Sequence, residues 1–503
     1  MMCEKRTKWK TFAESVIFLI VISCLFIGMM CLFRTYNYNR EQLDSIRTED
    51  AEVVYIGGSA AFTYWQPHKA WKDFGFSSYV YGSDTLQAEA IKYYIKEAEK
   101  TQDPSLYVID ARPFQYWEEE VGPDALTGLQ YSLDAMNVLD PDRFSLAYEY
   151  WKNRTFANKS STPLPLLSIT KEHENTANLG NRAAWDILFN KAESKLNGHL
   201  MVAQSEPFDM PLDFMTENRA QLHPTCKMVL TDLLSWCKEQ NHNVLFVACP
   251  YVISEEHQAK YNSISDLVSE YGYNFLNTNM HYAEMDIDFY SDFYNGNHVN
   301  AVGAEKYTAF LADYIHKNYS VPSVTDNAMV ELWASEYEYY ETCQKEAAII
   351  VQQRVANAEM VKTRCMELKE AQNLASWSLT SQDPNIVLLI AQSGIIDPIK
   401  ESDDATALCR WGFTDAPSGK IAVITDTKIT DEGSNKLEGT LDIWETTSYS
   451  VYADNNRSVI TVDGTEYILC GNGIQIVAFD NCHRKVADAV QIRFENDTII
   501  FQR

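Results

Sequence analysis

Basic residues are scarce in this chain of 503 residues. Lys and Arg number 42 against 70 Asp and Glu, so the formal net charge is −28 at pH 7. A chain of this charge repels polyanions and negatively charged lipid surfaces. The composition therefore predicts neither nucleic acid nor anionic lipid as a ligand, and it is typical of an acidic domain outside the cytoplasm.

Metal-type cysteine spacing is absent as well. The 11 cysteines form no Cys-x-x-Cys pair and are widely scattered after residue 35, which favours neither a zinc site nor a dense disulfide framework. Cys470 and Cys482 are the one pair close enough in sequence to suggest a disulfide. Asp286, Asp288 and Asp292 are interleaved with apolar residues, which favours a half-buried turn over a Ca²⁺ loop. We expect no metal and no cofactor.

One long uncharged run lies near the N-terminus, from Ser15 to Phe33. At about 1.5 Å per residue it approaches the roughly 30 Å hydrocarbon core of a bilayer. A secretory signal peptide is the alternative, but no small-x-small cleavage site follows the run. Basic residues are denser before the run than after it, which keeps the N-terminus cytoplasmic. We therefore predict a single-pass plasma-membrane protein, with a cytoplasmic tail and anchor in residues 1–40 and the bulk of the chain extracytoplasmic.

Residues 48–322 alternate between short apolar runs and amphipathic stretches. The apolar runs include VVYIG, LYVID and VLFVACP, and the stretches between them predict helices near 85–100, 222–240, 259–272 and 301–317. Apolar strands that alternate with helices are typical of a parallel sheet covered on both faces. The sequence predicts an α/β domain here, with residues 115–220 as a long insertion over one edge.

The rest of the chain changes character twice. Residues 323–375 have almost no Gly or Pro, which predicts one or two long helices that act as a spacer, and their heptads are poorly kept. Residues 376–503 show β-type alternation broken by Asp-Gly and Asn-Gly turns. We predict a smaller C-terminal domain.

Two polar positions follow predicted strands in residues 48–322. Gly57, Gly58 and Ser59 end the first strand, and His298 precedes a helix whose start is marked by Asn300. Ligands of open α/β sheets collect at the carboxyl ends of the strands, so Ser59 and His298 are expected on the same edge. A serine beside a histidine is the arrangement that nucleophilic catalysis requires, although Gly-Gly-Ser is also an ordinary turn.

Three stretches carry a family resemblance: VVYIGGSAAF, FGFSSYVYGSDTLQAEAIKYYIKEA and DFYNGNHVNAVGAEKYT. They resemble the SGNH (GDSL-like) hydrolases, in particular the membrane-anchored branch with the teichoic acid D-alanyl transfer protein and the polysaccharide O-acetyl esterases and transferases. The resemblance implies a three-layer, flavodoxin-like fold. It also implies Ser59 as nucleophile, His298 as general base, and the Ser59 backbone with Gly82 as oxyanion donors.

The sequence departs from the family pattern at two places. The family has Asp-x-x-His, whereas this chain has Asn295 three residues before His298, and the expected oxyanion asparagine is replaced by the stretch with Asp110 and Arg112. An Asn oxygen can orient the imidazole but brings no negative charge to the imidazolium. Asp292 could substitute if the turn presents its carboxylate.

The C-terminal domain resembles the interleukin-like EMT inducer domain over GIQIV (473–477) and VAD (486–488). That resemblance implies a small α/β sandwich whose relatives include carbohydrate-binding stem domains. Trp411, Trp444, Tyr449 and Tyr452 could stack on sugar rings, although buried aromatics are the commoner outcome.

Two functions follow from these observations. One is a cell-surface acyl ester hydrolase or O-acyltransferase that acts on envelope polysaccharide or teichoic acid through Ser59 and His298. The alternative is a catalytically degenerate carbohydrate-binding or envelope-assembly protein on the same fold. Asn295 favours the alternative, and the retained serine, glycine and histidine favour the enzyme.

Overall fold

The structure is a computed structural model that describes residues 2–33, 46, 50–117, 125–137, 140–154, 194–394, 402–413, 418–425, 428–441, 447–495 and 498–503. Much of the predicted insertion, including residues 155–193, lies outside the described residues. The chain divides into two compact units. The first comprises Met1–Ser205 and Asp209–Val351, and the second comprises Glu206–Phe208 and Gln352–Arg503.

The chain begins with the helix α1 (Met2–Phe33). Its segment Trp9–Met29 is long and apolar enough to cross a membrane, and none of that segment is buried against the rest of the protein. The predicted N-terminal apolar span is therefore present, and its length and composition suit a single-pass anchor or a signal sequence. Residues 34–40 of the predicted anchor region lie outside the described residues.

A five-stranded parallel sheet forms the centre of the first unit, in the order β2-β1-β3-β4-β5. The first four strands are buried along their whole length, as expected for parallel strands covered on both faces. The predicted α/β class with a parallel sheet is confirmed. The strands are β1 (Val53–Gly57), β2 (Ser78–Gly82), β3 (Leu106–Asp110), β4 (Val244–Ala248) and β5 (Asn274–Asn277).

Helices and one small ladder connect these strands. Asn300 caps the last helix of the sheet region, because its side-chain oxygen accepts hydrogen bonds from the backbone N–H groups of Val302 and Gly303. The elements are α2 (Ser59–Tyr64), α3 (Pro67–Phe74), α4 (Ala88–Ala98), α5 (Ala125–Asp134), α6 (Pro141–Asn153), α7 (Pro224–Gln240), α8 (Glu255–Glu270), β6 (Phe293–Asn295), β7 (His298–Val299) and α9 (Ala301–Asn318).

The predicted spacer contains one helix of 44 residues, α10 (Asn327–Glu370). Its buried side chains recur at intervals of three, four or seven residues along one face, so that face is covered over most of the helix length. The long helix predicted here is present, whereas its role as a spacer stays a prediction. The buried positions are Trp333, Tyr340, Gln344, Ala347, Val351, Ala358, Val361, Cys365 and Leu368.

The C-terminal part is a separate antiparallel β-rich region. Its six-stranded sheet has the order β10-β9-β8-β15-β16-β17, and its four-stranded sheet has the order β11-β12-β13-β14. The elements are α11 (Leu374–Thr380), β8 (Ile386–Ser393), α12 (Asp403–Arg410), β9 (Lys420–Thr425), β10 (Lys428–Ser434), β11 (Lys436–Thr440), β12 (Ser448–Ala453), β13 (Arg457–Val462), β14 (Thr465–Cys470), β15 (Gly473–Asp480), β16 (Lys485–Glu495) and β17 (Thr498–Gln502).

The strand β8 divides the apolar side chains of this region between two cores. Ile386, Leu388 and Ile390 join a core with the helices α11 and α12. Val387 and Leu389 join a second core with strands of the four-stranded sheet. Successive side chains of a strand point to opposite faces, so one strand supplies both cores.

The cysteine and aromatic predictions for this region have mixed outcomes. Cys470 and Cys482 are free thiols, so the suggested disulfide is wrong; Cys470 ends an exposed strand, whereas Cys482 packs against the helix-covered core. Trp411 and Tyr449 are buried, which removes them from sugar stacking. Tyr452 is 37% exposed, and Trp444 lies outside the described residues.

Candidate active site

The fold brings Ser59 and His298 together. Ser59 begins α2 directly after β1, and His298 begins β7. The Ser59 Oγ and His298 Nε2 atoms are 2.6 Å apart, which is a short hydrogen bond between half-buried side chains. Residues separated by 239 positions in sequence are thus in contact, on the edge of the sheet where the strand order predicts them.

Asn295 orients the imidazole from its other side. Its Oδ1 atom lies 2.9 Å from His298 Nδ1 and also accepts the backbone N–H of Asn297 at 2.9 Å. A backbone N–H can only donate, so the atom that receives it is the amide oxygen. His298 must then carry its proton on Nδ1, which leaves Nε2 free to accept the Ser59 hydroxyl. The backbone N–H of Asn297 therefore fixes His298 in the tautomer that a general base needs.

The turn between β6 and β7 is held by three neighbouring segments. The Gly296 carbonyl accepts the Val252 N–H at 2.9 Å. The Asn297 carbonyl accepts the Tyr64 hydroxyl at 3.0 Å and the Arg112 Nη1–H at 2.9 Å. The residues that accept these bonds lie between Asn295 and His298 in the chain, so the bonds limit how far these two side chains can shift.

Asp292 lies directly before β6, outside the turn that carries Asn295 and His298. Its carboxylate accepts hydrogen bonds from the Asp288 backbone N–H and from Lys306 Nζ, both at 2.8 Å. The Ser291 hydroxyl bonds to it as well, at 3.0 Å. Asp292 is buried and occupied by these contacts, and the atom at His298 Nδ1 is the Asn295 oxygen.

Gly82 lies at the carboxyl end of β2, opposite Gly57 in the β1 ladder. A Cβ atom at this position would stand 2.4 Å from the Gly57 carbonyl oxygen, which explains why the position is glycine. Among the described residues that line the cavity beside Ser59, the loop after β2 supplies Thr85, Leu86 and Gln87 in its place. Close strand packing therefore gives a structural reason for glycine at this position, and the oxyanion role of Gly82 stays a prediction.

A cavity of about 310 Å³ opens beside Ser59 and His298. Its wall includes Asp110 and Arg112, which the sequence offered where the family has asparagine. The Asp110 carboxylate accepts the Arg112 backbone N–H at 3.0 Å, and burial raises its pKa. The Arg112 guanidinium lies 4.4 Å from the centre of the Tyr251 ring. Because an arginine side chain stays protonated, the cavity wall holds a permanent positive charge.

The electrostatics of His298 follow from this surrounding. Burial, with the Arg112 charge as the second cause, lowers the pKa of His298 to about 3. The Tyr294 ring stacks on the imidazole at 5.4 Å between ring centres. The imidazole is therefore neutral at physiological pH and able to accept a proton, but it is a weak base.

Two features of the site were not predicted from the sequence: the Asn297 N–H, which sets the orientation of the Asn295 amide, and the place of Arg112 in the cavity wall. Both follow from three-dimensional neighbours, and the only sequence signal was the position of Arg112 just after a strand. Among the described residues, no group of three or more His, Cys, Asp or Glu side chains is arranged to hold a metal ion. No family model matches this sequence, and no curated protein matches it significantly.

Proposed function

We propose that this protein is an SGNH-type acyl ester hydrolase or O-acyltransferase. The single observation that carries the proposal is the continuous relay from Ser59 through His298 to the Asn295 oxygen, with hydrogen bonds of 2.6 and 2.9 Å. The strand order β2-β1-β3-β4-β5 supports it, because this is the flavodoxin-like order and the relay lies at the carboxyl ends of its strands.

The chemistry is acyl transfer in two halves. His298 Nε2 takes the Ser59 hydroxyl proton while Oγ attacks the ester carbonyl carbon, and the imidazolium returns this proton to the departing alcohol as the C–O bond breaks. Water or a sugar hydroxyl then attacks the acylated serine by the reverse route. The Arg112 charge in the cavity wall suits an intermediate that carries a negative oxygen.

The substrate we propose is an O-acylated envelope polymer, either a polysaccharide or teichoic acid. The N-terminal apolar segment supports this assignment, because an uncleaved anchor with a cytoplasmic N-terminus would hold the catalytic unit at the outer membrane surface. The half-exposed serine and its open cavity suit an ester presented on a large substrate.

A non-catalytic carbohydrate-binding or assembly protein is the second candidate function. The observation that favours it is the low pKa of His298, about 3, beside an uncharged amide. Such a base accepts the serine proton less readily than an imidazole backed by a carboxylate.

The test is the intact mass of the full chain in detergent after exposure to a fluorophosphonate probe, which captures an activated serine. We expect one adduct in the wild-type protein and none in Ser59→Ala. Ser269→Ala is the matched control, because Ser269 is an exposed serine of α8, and it should keep the adduct.

An absence of adduct in a folded wild-type protein would contradict the enzyme and leave the binding function. An adduct that persists in Ser59→Ala would also contradict the proposal, since another residue would then be the reactive group. Circular dichroism of each variant checks that the fold is retained.

A further inference from the structure

The sequence places a glycine directly after the asparagine of the relay. A backbone nitrogen that follows Asn can attack the side-chain carbonyl carbon, and glycine leaves this attack unhindered because it has no Cβ. The chain has three such steps, which are Asn197-Gly198, Asn295-Gly296 and Asn472-Gly473. They differ in their surroundings, so their reactivities should differ as well.

The surroundings of Asn295 activate its side-chain carbonyl. The Oδ1 atom accepts two hydrogen bonds of 2.9 Å, from Asn297 N–H and His298 Nδ1–H. Two donors on one carbonyl oxygen make its carbon more electrophilic, and they stabilise the negative oxygen that forms when a nucleophile adds. Asn295 and Gly296 are both half-buried, so water reaches this turn.

The other two steps lack this combination. Asn197 is fully buried, and its backbone has a φ of 48°, in the left-handed region. Gly473 is buried in β15 and pairs with Ser393 of β8, so its backbone is held within the sheet. Attack by the glycine nitrogen requires local rearrangement. Burial and pairing within a six-stranded sheet oppose it more than the two-stranded β6-β7 ladder, in which Asn295 pairs with His298.

We propose that Asn295 is a site of spontaneous deamidation, which converts the uncharged relay of Ser59, His298 and residue 295 into one that ends in a carboxylate. The Gly296 nitrogen loses its proton to solvent and bonds to Asn295 Cγ. The bond from Cγ to the side-chain nitrogen then breaks, this nitrogen takes up a proton from solvent and leaves as ammonia, and a five-membered imide results. One water molecule then opens the imide and restores the peptide bond.

The same two N–H groups determine which product forms. Water that attacks Cγ restores the normal backbone and yields Asp, whereas attack on the main-chain carbonyl yields isoaspartate. The hydrogen bonds from Asn297 and His298 polarise the Cγ carbonyl, so they direct water to Cγ. The product is therefore Asp at position 295.

The modification itself does not depend on the proposed function, but its catalytic consequence rests on it. A carboxylate at position 295 would place a negative charge beside the Nδ1–H of His298 and stabilise the imidazolium. Freshly made protein would then hold a weak base, and aged protein a strong one.

The first experiment follows deamidation in the full chain, kept in detergent at pH 8 and 37 °C. Peptide mass spectrometry measures the amide-to-acid conversion at the three Asn-Gly steps and separates Asp from isoaspartate by fragmentation. We expect conversion at residue 295 to be at least about tenfold faster than at residues 197 and 472, and Gly296→Ala to slow it by about tenfold. Equal or slower conversion at 295, or isoaspartate as the main product, would overturn the proposal.

The second experiment separates this proposal from the proposed function. Fluorophosphonate labelling rates are compared for fresh protein, aged protein and Asn295→Asp, which serves as the product standard. In aged protein, the fraction that is labelled at the rate of Asn295→Asp should equal the fraction that is deamidated at residue 295. If residue 295 is deamidated but no sample forms an adduct, the proposed hydrolase function is wrong and the modification stands. If the labelling rate does not change with the deamidated fraction, only the catalytic consequence is wrong.

Discussion

Two histidines of this chain bond through Nδ1 to a side chain three residues earlier, and each lies in a different unit. In the α/β unit His298 contacts the Asn295 amide at 2.9 Å, and in the C-terminal unit His483 contacts the Asp480 carboxylate at 2.7 Å. The carboxylate pair has the stronger electrostatic attraction. In the amide pair, the histidine also contacts a serine hydroxyl and lines a cavity.

The surroundings of the Asp480 carboxylate show what the His483 pair does instead. Asp480 ends β15, and its carboxylate also bonds the backbone N–H groups of Cys482 and His483 and the thiol of Cys365. Burial alone would raise the pKa of Asp480, but the bonds from His483 and the turn lower it below its usual value. That carboxylate stabilises a turn. A histidine that is held through Nδ1 thus becomes a candidate catalytic group only when its Nε2 atom contacts a reactive side chain, as His298 contacts Ser59.

The largest effect should come from removing the His298 imidazole, with removal of the His483 imidazole as the matched comparison. We expect His298→Ala to lower the fluorophosphonate labelling rate about 10³-fold, because Ser59 loses the acceptor of its proton. His483→Ala should leave the rate within about twofold. Labelling rates of the two folded variants, measured side by side, check this, and equal losses would show that the contact of Ser59 with His298 is not what activates the serine.

A second pair of variants exchanges the acid and the amide. Asn295→Asp should raise the labelling rate on the order of 10²-fold, since a carboxylate stabilises the imidazolium. Asp480→Asn should leave the labelling rate unchanged and lower the free energy of unfolding by about 1–3 kcal/mol, because the turn loses its charged acceptor. Rapid labelling and denaturant unfolding measure the two quantities. An unchanged rate in Asn295→Asp would mean that proton acceptance by His298 does not limit the reaction.

Glycine substitutions compare the strand packing of the two units. Gly82→Ala should cost about 1–3 kcal/mol of stability, since its Cβ would stand 2.4 Å from the Gly57 carbonyl oxygen. Gly433→Ala in β10 has its nearest atom at 3.4 Å and should change stability by no more than about 0.5 kcal/mol. Denaturant unfolding, followed by hydrogen exchange in peptides of each unit, checks both values. A harmless Gly82→Ala would contradict the packing account.

The smallest effect is the pH dependence of labelling. The base acts in its neutral form, and a pKa of about 3 keeps His298 neutral well below its ordinary value of 6.5. The labelling rate should therefore fall by less than about twofold between pH 8 and pH 5. In Asn295→Asp the acidic limb should move to higher pH, because the carboxylate raises the pKa of His298. A wild-type limb centred near pH 6.5 would contradict the burial effect.

The same shift bears on stability at low pH. The unfolded chain binds a proton at His298 below about pH 6.5, whereas the folded protein resists it until about pH 3. The unfolded state therefore binds more protons in this interval, and stability declines as the pH falls through it. Circular dichroism at each pH separates this loss from a change in chemistry.

Much of the architecture could be predicted because it depends on local patterns. The buried runs of β1, β3 and β4 and the Asn300 cap are readable in sequence, and their order fixes the edge where Ser59 and His298 meet. The amide orientation of Asn295 could not be predicted, because it depends on which neighbours donate to it. The placement of Asp292 failed for a similar reason, since Lys306 and the Asp288 backbone compete for its carboxylate.

Two exposed thiols of the C-terminal unit have a practical consequence. Cys409 and Cys470 are free and exposed, so each can be reached by a sulfur of another molecule. A protein with one such thiol stops at a covalent dimer, but a protein with two can be joined at both and extended without limit. Oxidation in air should therefore yield covalent chains of this protein that a reducing agent dissolves, and replacing either cysteine by serine should shorten these chains.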